Sequence, residues 1–168
     1  MMKMLRPYIF RLEANKAIVS SLFAAINAKD LTVLNEFVAP SFVDHTHHLQ
    51  GLEDVKQFFA MLIKGFPNFQ STIEDIIPEG DQVWFRITET GKCTGEYRGL
   101  TPTGNKIIAK TVHKFRVVNC RFIEDFFVSD ELDFYKQIGV IKYTEEGKKL
   151  FSTKEFHNLN STHPVRTG

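Results

Sequence analysis

Over the first third of the chain, apolar residues recur every three or four positions. Between Glu13 and Ala28, the residues Ala17, Ile18, Leu22, Ala25 and Ile26 follow a helical period that the polar run from Asn27 to Asp30 interrupts, which predicts an amphipathic helix. Asp30 is placed to cap a second, short helix through Leu31, Leu34, Phe37 and Val38. Pro40 ends it, since its ring clashes with the preceding turn and it has no N–H to donate. A third stripe of Val55, Phe58, Phe59, Leu62 and Ile63 predicts a helix from Glu53 to Lys64, closed by Gly65 and Pro67.

The period then shortens. Segments 69–77, 82–90, 106–118 and 121–129 are rich in β-branched and aromatic residues. The turn signals Pro78-Glu79-Gly80-Asp81, Gly91, Pro102-Thr103-Gly104-Asn105 and Asn119-Cys120 separate them. Helices first and strands afterwards predict an α+β fold with hairpin-connected strands, and argue against alternating βαβ units. No glycine-rich phosphate loop supports a dinucleotide-binding reading. A short segment, 131–138, closes on Gly139, and the chain turns polar beyond Lys142. The expected organisation is one domain over 1–142 and a polar C-terminal extension over 143–168. One helical turn is expected near 150–155 and a loose tail over 158–168.

Composition narrows the possible partners. Phe is over-used, with 16 residues against one Trp, which fits either a tight core or an apolar cavity wall. A formal net charge of +1 supplies no global field for nucleic acid or an anionic membrane, so neither is expected as a partner. Cys93 and Cys120 are too few and too far apart for a disulfide framework or a zinc site. No apolar run is long enough to span a bilayer, and a cytoplasmic location is expected.

Four groups of residues could carry chemistry. Asp44-His45-Thr46-His47-His48 clusters imidazoles that titrate near neutrality, but adjacent histidines on a loop define no metal geometry, so a solvated loop or pocket rim is expected there and not a metal site. On 82–90, Trp84 and Arg86 share a face; they form either a wall that stacks on and hydrogen-bonds an oxygen-rich ligand, or a cross-strand packing pair with an exposed guanidinium. His113 lies among apolar residues of the same parity, as a satisfied core histidine or, given its polar companion Thr111 and a nearby acid, a catalyst. On the last strand Glu124, Phe126, Val128 and Asp130 share one face if no bulge intervenes. A carboxyl facing an apolar pocket loses hydration and becomes a useful base, so Asp130 is a candidate general base. Alternatively it caps the helix that follows.

From about Phe42 to Ile141 these residues resemble the SnoaL-like polyketide cyclases, within the folds similar to nuclear transport factor 2. The resemblance is carried by His45 with Gly51, Phe66-Pro67-Asn68, Gly80-Asp81-Gln82-Val83 with Arg86, Gly95-Glu96 and Pro102-Thr103-Gly104. It continues through Phe115-Arg116, Ile123-Glu124, Asp130 and Gln137-Ile138-Gly139, in order across about a hundred residues. It implies a cone-shaped half-barrel, a curved antiparallel sheet wrapped by N-terminal helices around a pocket, commonly as a homodimer. It also implies an intramolecular aldol ring closure without metal or cofactor on a hydrophobic, carbonyl-rich small molecule. By the family pattern Asp130 would be the base with His113, and His45, Trp84, Arg86, Phe126 and Glu124 would bind substrate. This chain departs from the pattern at Cys93, where an imidazole is common, at Phe126, where a Trp is frequent, and at Cys120, where a turn Gly is usual. The same fold also hosts non-catalytic modules that bind small ligands or proteins, which is the competing expectation.

Overall fold

The computed structural model describes residues 2–150. Its elements are α1 (Met2–Asn27), a 3-10 turn (Leu31–Val33), α2 (Leu34–Phe37), β1 (Val38–Asp44), α3 (Gly51–Gly65), β2 (Gln70–Glu79), β3 (Gln82–Lys92), β4 (Lys106–Val118), β5 (Arg121–Ser129), α4 (Glu131–Gln137) and α5 (Glu145–Leu150). The sheet order is β1-β5-β4-β3-β2. This is the expected α+β architecture, a curved and unclosed sheet with helices against its concave face. The helical turn expected near 150–155 and the tail over 158–168 lie outside the described residues, apart from Leu150 at the end of α5.

Three boundaries differ from the sequence reading. Helix α1 starts at Met2 and runs through Pro7; Arg11 and Glu13, which interrupt the apolar pattern, lie on its exposed side. Its buried residues Val19, Leu22, Phe23 and Ile26 form the i, i+3, i+4, i+7 stripe that seats it on the sheet. The helix expected to reach Val38 stops at Phe37, and Val38 opens β1, which pairs parallel with β5, so the sheet is not wholly antiparallel. Pro40 is tolerated inside β1 because this strand is at the sheet edge, where a missing donor breaks no ladder on the open side.

The third difference decides the site. The antiparallel register of β4 with β5 shifts between Arg116 and Val117, so that Phe122 faces Val117 while Glu124 faces Arg116. Strict alternation from the buried Phe122 would turn residues 124, 126 and 128 inward. The irregularity reverses the parity, and Asp125 and Phe127 are buried while Phe126 and Val128 are exposed.

Two devices close one end of the sheet. Between β3 and β4 the chain makes an excursion that returns where Cys93 and Asn105 pair, and Gly95 passes so close to α3 that a Cβ there would lie 1.8 Å from the Lys64 carbonyl oxygen. At the same end, the Gln137 side chain accepts from Ile108 N at 2.6 Å and donates to Ile108 O at 3.0 Å. β5 stops pairing with β4 at Thr111, and this amide takes over beyond it.

Candidate active site

The concave face and its covering helices enclose a cavity of about 150 Å³. α1 and α3 line it with apolar side chains such as Phe23, Val55, Phe58 and Leu62, and its polar groups come from the strands and from the loops and helix α4 at its mouth. Alternation on β3 sends Val83, Phe85, Ile87 and Glu89 inward, and alternation on β4 does the same for Ile107, Thr111, His113 and Phe115.

His113 is the centre of one cluster. Its Nδ1 is 3.0 Å from Asp125 Oδ2 and its Nε2 is 3.2 Å from Thr111 Oγ1. The ring is sandwiched between Phe85, 5.0 Å away and nearly parallel, and Phe127, 4.8 Å away. Each aromatic contact is worth about 0.5–1.5 kcal/mol beyond burial, and together they fix the imidazole plane. Asp125 is only 6% exposed. Burial pushes its pKa up; the hydrogen bond with His113 pulls it part of the way back, and the nearby Asp44 charge adds to the rise.

Asp44 and His47 extend the cluster. Asp44 is 4% exposed and accepts from the backbone N–H groups of Thr46 and His47 at 2.7 and 2.9 Å, which turns the chain sharply after β1. That turn brings His47 edge-on to Phe127, with Nε2 3.3 Å from Glu131 Oε1 at the cavity mouth. On the other side of the mouth Arg98 Nη1 donates to Tyr135 Oη at 2.9 Å.

Glu89 stands outside this hydrogen-bonded cluster. It lines the cavity opposite Ala109. Among the described residues no hydrogen bond or ion pair reaches its carboxyl. Burial pushes its pKa up to about 7, with His113 opposing the rise.

The residues singled out from sequence divide between the two sides of the sheet. His113 faces the cavity, with Thr111 and an acid beside it. Trp84 and Arg86 lie on the outer face and form the packing pair: Arg86 Nε donates to Asp75 Oδ2 on β2 at 2.9 Å, and Lys114 Nζ is 5.8 Å from the Trp84 ring centre. Glu124 is bound to Arg116 on that same side, and Phe126 is 48% exposed there. The His45 side chain is exposed, and only its backbone N–H serves the site, donating to Asp125 O at 2.9 Å. Asp130 is exposed at the rim and caps α4, with Oδ1 accepting from Asp133 N at 2.9 Å. It therefore takes the capping role, and the buried carboxyl beside His113 is Asp125. Sequence reasoning passed over Asp125 and Glu89, and His47 lies at the pocket rim, one of the two places expected for its cluster. Among the described residues no group of three or more His, Cys, Asp or Glu is arranged to hold a metal ion, and no helix is long and apolar enough to cross a membrane.

Comparison with known proteins agrees with this architecture. The sequence profile described as SnoaL-like polyketide cyclase matches residues 16–138, and the chain belongs to that family. A curated relative, the aklanonic acid methyl ester cyclase DauD of Streptomyces sp. (strain C5), is 26% identical over 117 residues, covering 68% of this chain and 72% of that protein. Among solved structures, a SnoaL-like protein from Jannaschia sp. CCS1 superposes with a TM-score of 0.69 at 26% identity, covering 77% of this chain and 94% of that one. AclR from Streptomyces galilaeus gives 0.72 at 24% identity over 88% of this chain and 99% of that one, a likeness of fold. Family membership supports a cyclase-like function on a small molecule.

Proposed function

We propose that this protein is an acid/base enzyme that closes a ring in a hydrophobic, carbonyl-rich small molecule without a cofactor, and that the His113–Asp125 pair is its base. The observation that carries the reading is the pair itself: a buried carboxyl on Nδ1 holds an imidazole that two phenyl rings clamp in an apolar cavity. With Asp125 ionised, Nδ1 keeps the ring proton and Nε2 presents its lone pair beside Thr111 Oγ1. A carbon between or beside carbonyl groups is acidic enough for such a base, and the resulting enolate attacks a second carbonyl of the same molecule. Asp44 supports the pair by shaping the loop next to Asp125.

A small neutral ketone tests this without knowledge of the natural substrate. In D2O the wild-type protein is expected to accelerate exchange of the α-hydrogens of 2-tetralone, and His113→Asn and Asp125→Asn to lose about 100-fold or more of that rate. Binding of 2-tetralone without exchange would instead identify a ligand-binding module.

The partner side of the proposal is a second copy of this chain. The outer face of the sheet exposes Trp84, Val112, Phe126 and Val128, an apolar surface that supports pairing through that face.

A further inference from the structure

We propose that Glu89 is the acid of this site: a protonated carboxyl that donates to the ligand carbonyl oxygen as His113 removes a proton from the adjacent carbon. The proposal rests on the acid/base reading above and adds the second reacting group to it. Its ground is placement. The other carboxyls at the cavity are engaged: Asp44 by two backbone N–H groups, Asp125 by His113, Asp130 by Asp133 N and Glu131 by His47. Glu89 alone among the described cavity carboxyls lacks such a partner, and it extends from β3 opposite Ala109, a side chain of one methyl group that leaves the space beside it open.

Glu89 is half-buried on the cavity wall. A carboxyl partly withdrawn from water with nothing to donate to it favours its neutral form, and in that form it is a donor in search of an acceptor. The pKa of Glu89, raised to about 7, agrees. The charged and titratable groups around the same cavity are His113 on β4, Asp125 on β5, Asp44 at the end of β1 and His47 after it, Tyr97 and Arg98 on the β3–β4 excursion, and Asp130, Glu131 and Tyr135 at α4. Of these, His113 acts on the Glu89 charge, and Glu89 in turn acts on Tyr97. No hydrogen bond joins Glu89 to His113, and both line the same cavity.

The proton and electron balance closes without an outside reactant. His113 Nε2 takes the proton from carbon. The C–H electron pair becomes a carbon–carbon double bond, the carbonyl π pair moves to oxygen, and that oxygen takes the Glu89 proton to give a neutral enol. In the second step the enol carbon bonds to the other carbonyl carbon and the enol proton returns to Glu89. The new alkoxide takes the proton held by His113, and both groups are restored.

The test joins carboxyl titration to 2-tetralone exchange. In protein labelled with 13C at the Glu carboxyls, with Glu89→Gln for assignment, Glu89 is expected to titrate near neutrality. Glu89→Ala is expected to lower the exchange rate about 100-fold, the usual worth of one acid or oxyanion donor. Glu89→Gln keeps a donor, and is expected to retain part of the rate and lose the fall in rate above pH 7. Titration of Glu89 in the ordinary carboxylate range overturns the proposal, as does a Glu89→Ala profile that keeps the wild-type rate and alkaline limb. Exchange lost in His113→Asn but unaffected in Glu89→Ala would leave the base reading standing and remove the acid. If the wild-type protein accelerates no exchange, both readings fall.

Discussion

The two faces of the β3–β4–β5 sheet are made from the same strands, with residues alternating one by one, yet they have opposite chemistry. The inner face buries Asp125 and half-buries Glu89, and the loss of hydration there raises both carboxyl groups. On the outer face Arg86 and Asp75, and Arg116 with Asp81 and Glu124, form ion pairs in the open, where water solvates each partner. Charge alone therefore says little about reactivity here. The same residue types stand one position apart, and desolvation separates a reacting group from a solvated one.

This contrast can be broken at three points. The largest effect is expected from Phe85→Ala, which removes a ring that touches His113, Phe23 and Phe115 and leaves a cavity in the core; thermal or denaturant unfolding should show a loss of about 3–5 kcal/mol. Its outer neighbour Trp84→Ala should cost less than about 1 kcal/mol. Equal losses would erase the distinction between the faces.

The next effect has a pH signature. Glu89 titrates near 7 in the folded chain against about 4.5 when unfolded, so the folded state holds the proton more tightly. Stability from this group is complete below about pH 4.5, falls as the pH rises to about 7, and is level beyond it. Glu89→Gln, which never ionises, should therefore be more stable than wild type by about 3 kcal/mol at pH 8 and by much less at pH 5. Equal stability of the two proteins at pH 8 would mean that Glu89 is well solvated.

The smallest change in folding stability is expected on the outer side. Phe126→Lys should alter the stability of the chain by only about 0.5 kcal/mol, because the side chain is half exposed. In sedimentation it should convert a wild-type dimer to a monomer while 2-tetralone exchange persists. A wild-type monomer would rule out pairing through this face.

Much of the fold was legible because its signals are local. The stripe through Val55, Phe58 and Leu62 marked α3, and Asn119-Cys120 marked the hairpin before β5, where both residues adopt positive φ. β1 was hidden because Pro40 reads as a helix stop, whereas here it belongs to an edge strand whose partner lies some eighty residues away. The site was half legible. His113 and its dependence on a nearby acid follow from the β4 alternation, but the identity of that acid depends on a register shift that involves both strands of the β4–β5 pair, and no periodicity within β5 reveals it. Glu89 was available to the same logic as its neighbours: extending Val83, Phe85 and Ile87 by two residues places a carboxylate on the buried side.

The Gln137 amide adds a constraint on chain length. By offering one acceptor and one donor to a single residue of β4, it counterfeits the next rung of a strand that has already ended, and so indexes α4 to the sheet. Each residue added or lost between Ser129 and Gln137 would rotate that amide by about 100° around the helix and detach it from Ile108. The seven residues of α4 are thus a measured spacer, and the lip of the cavity formed by Glu131, Phe134 and Tyr135 keeps its place because the spacer cannot change by one.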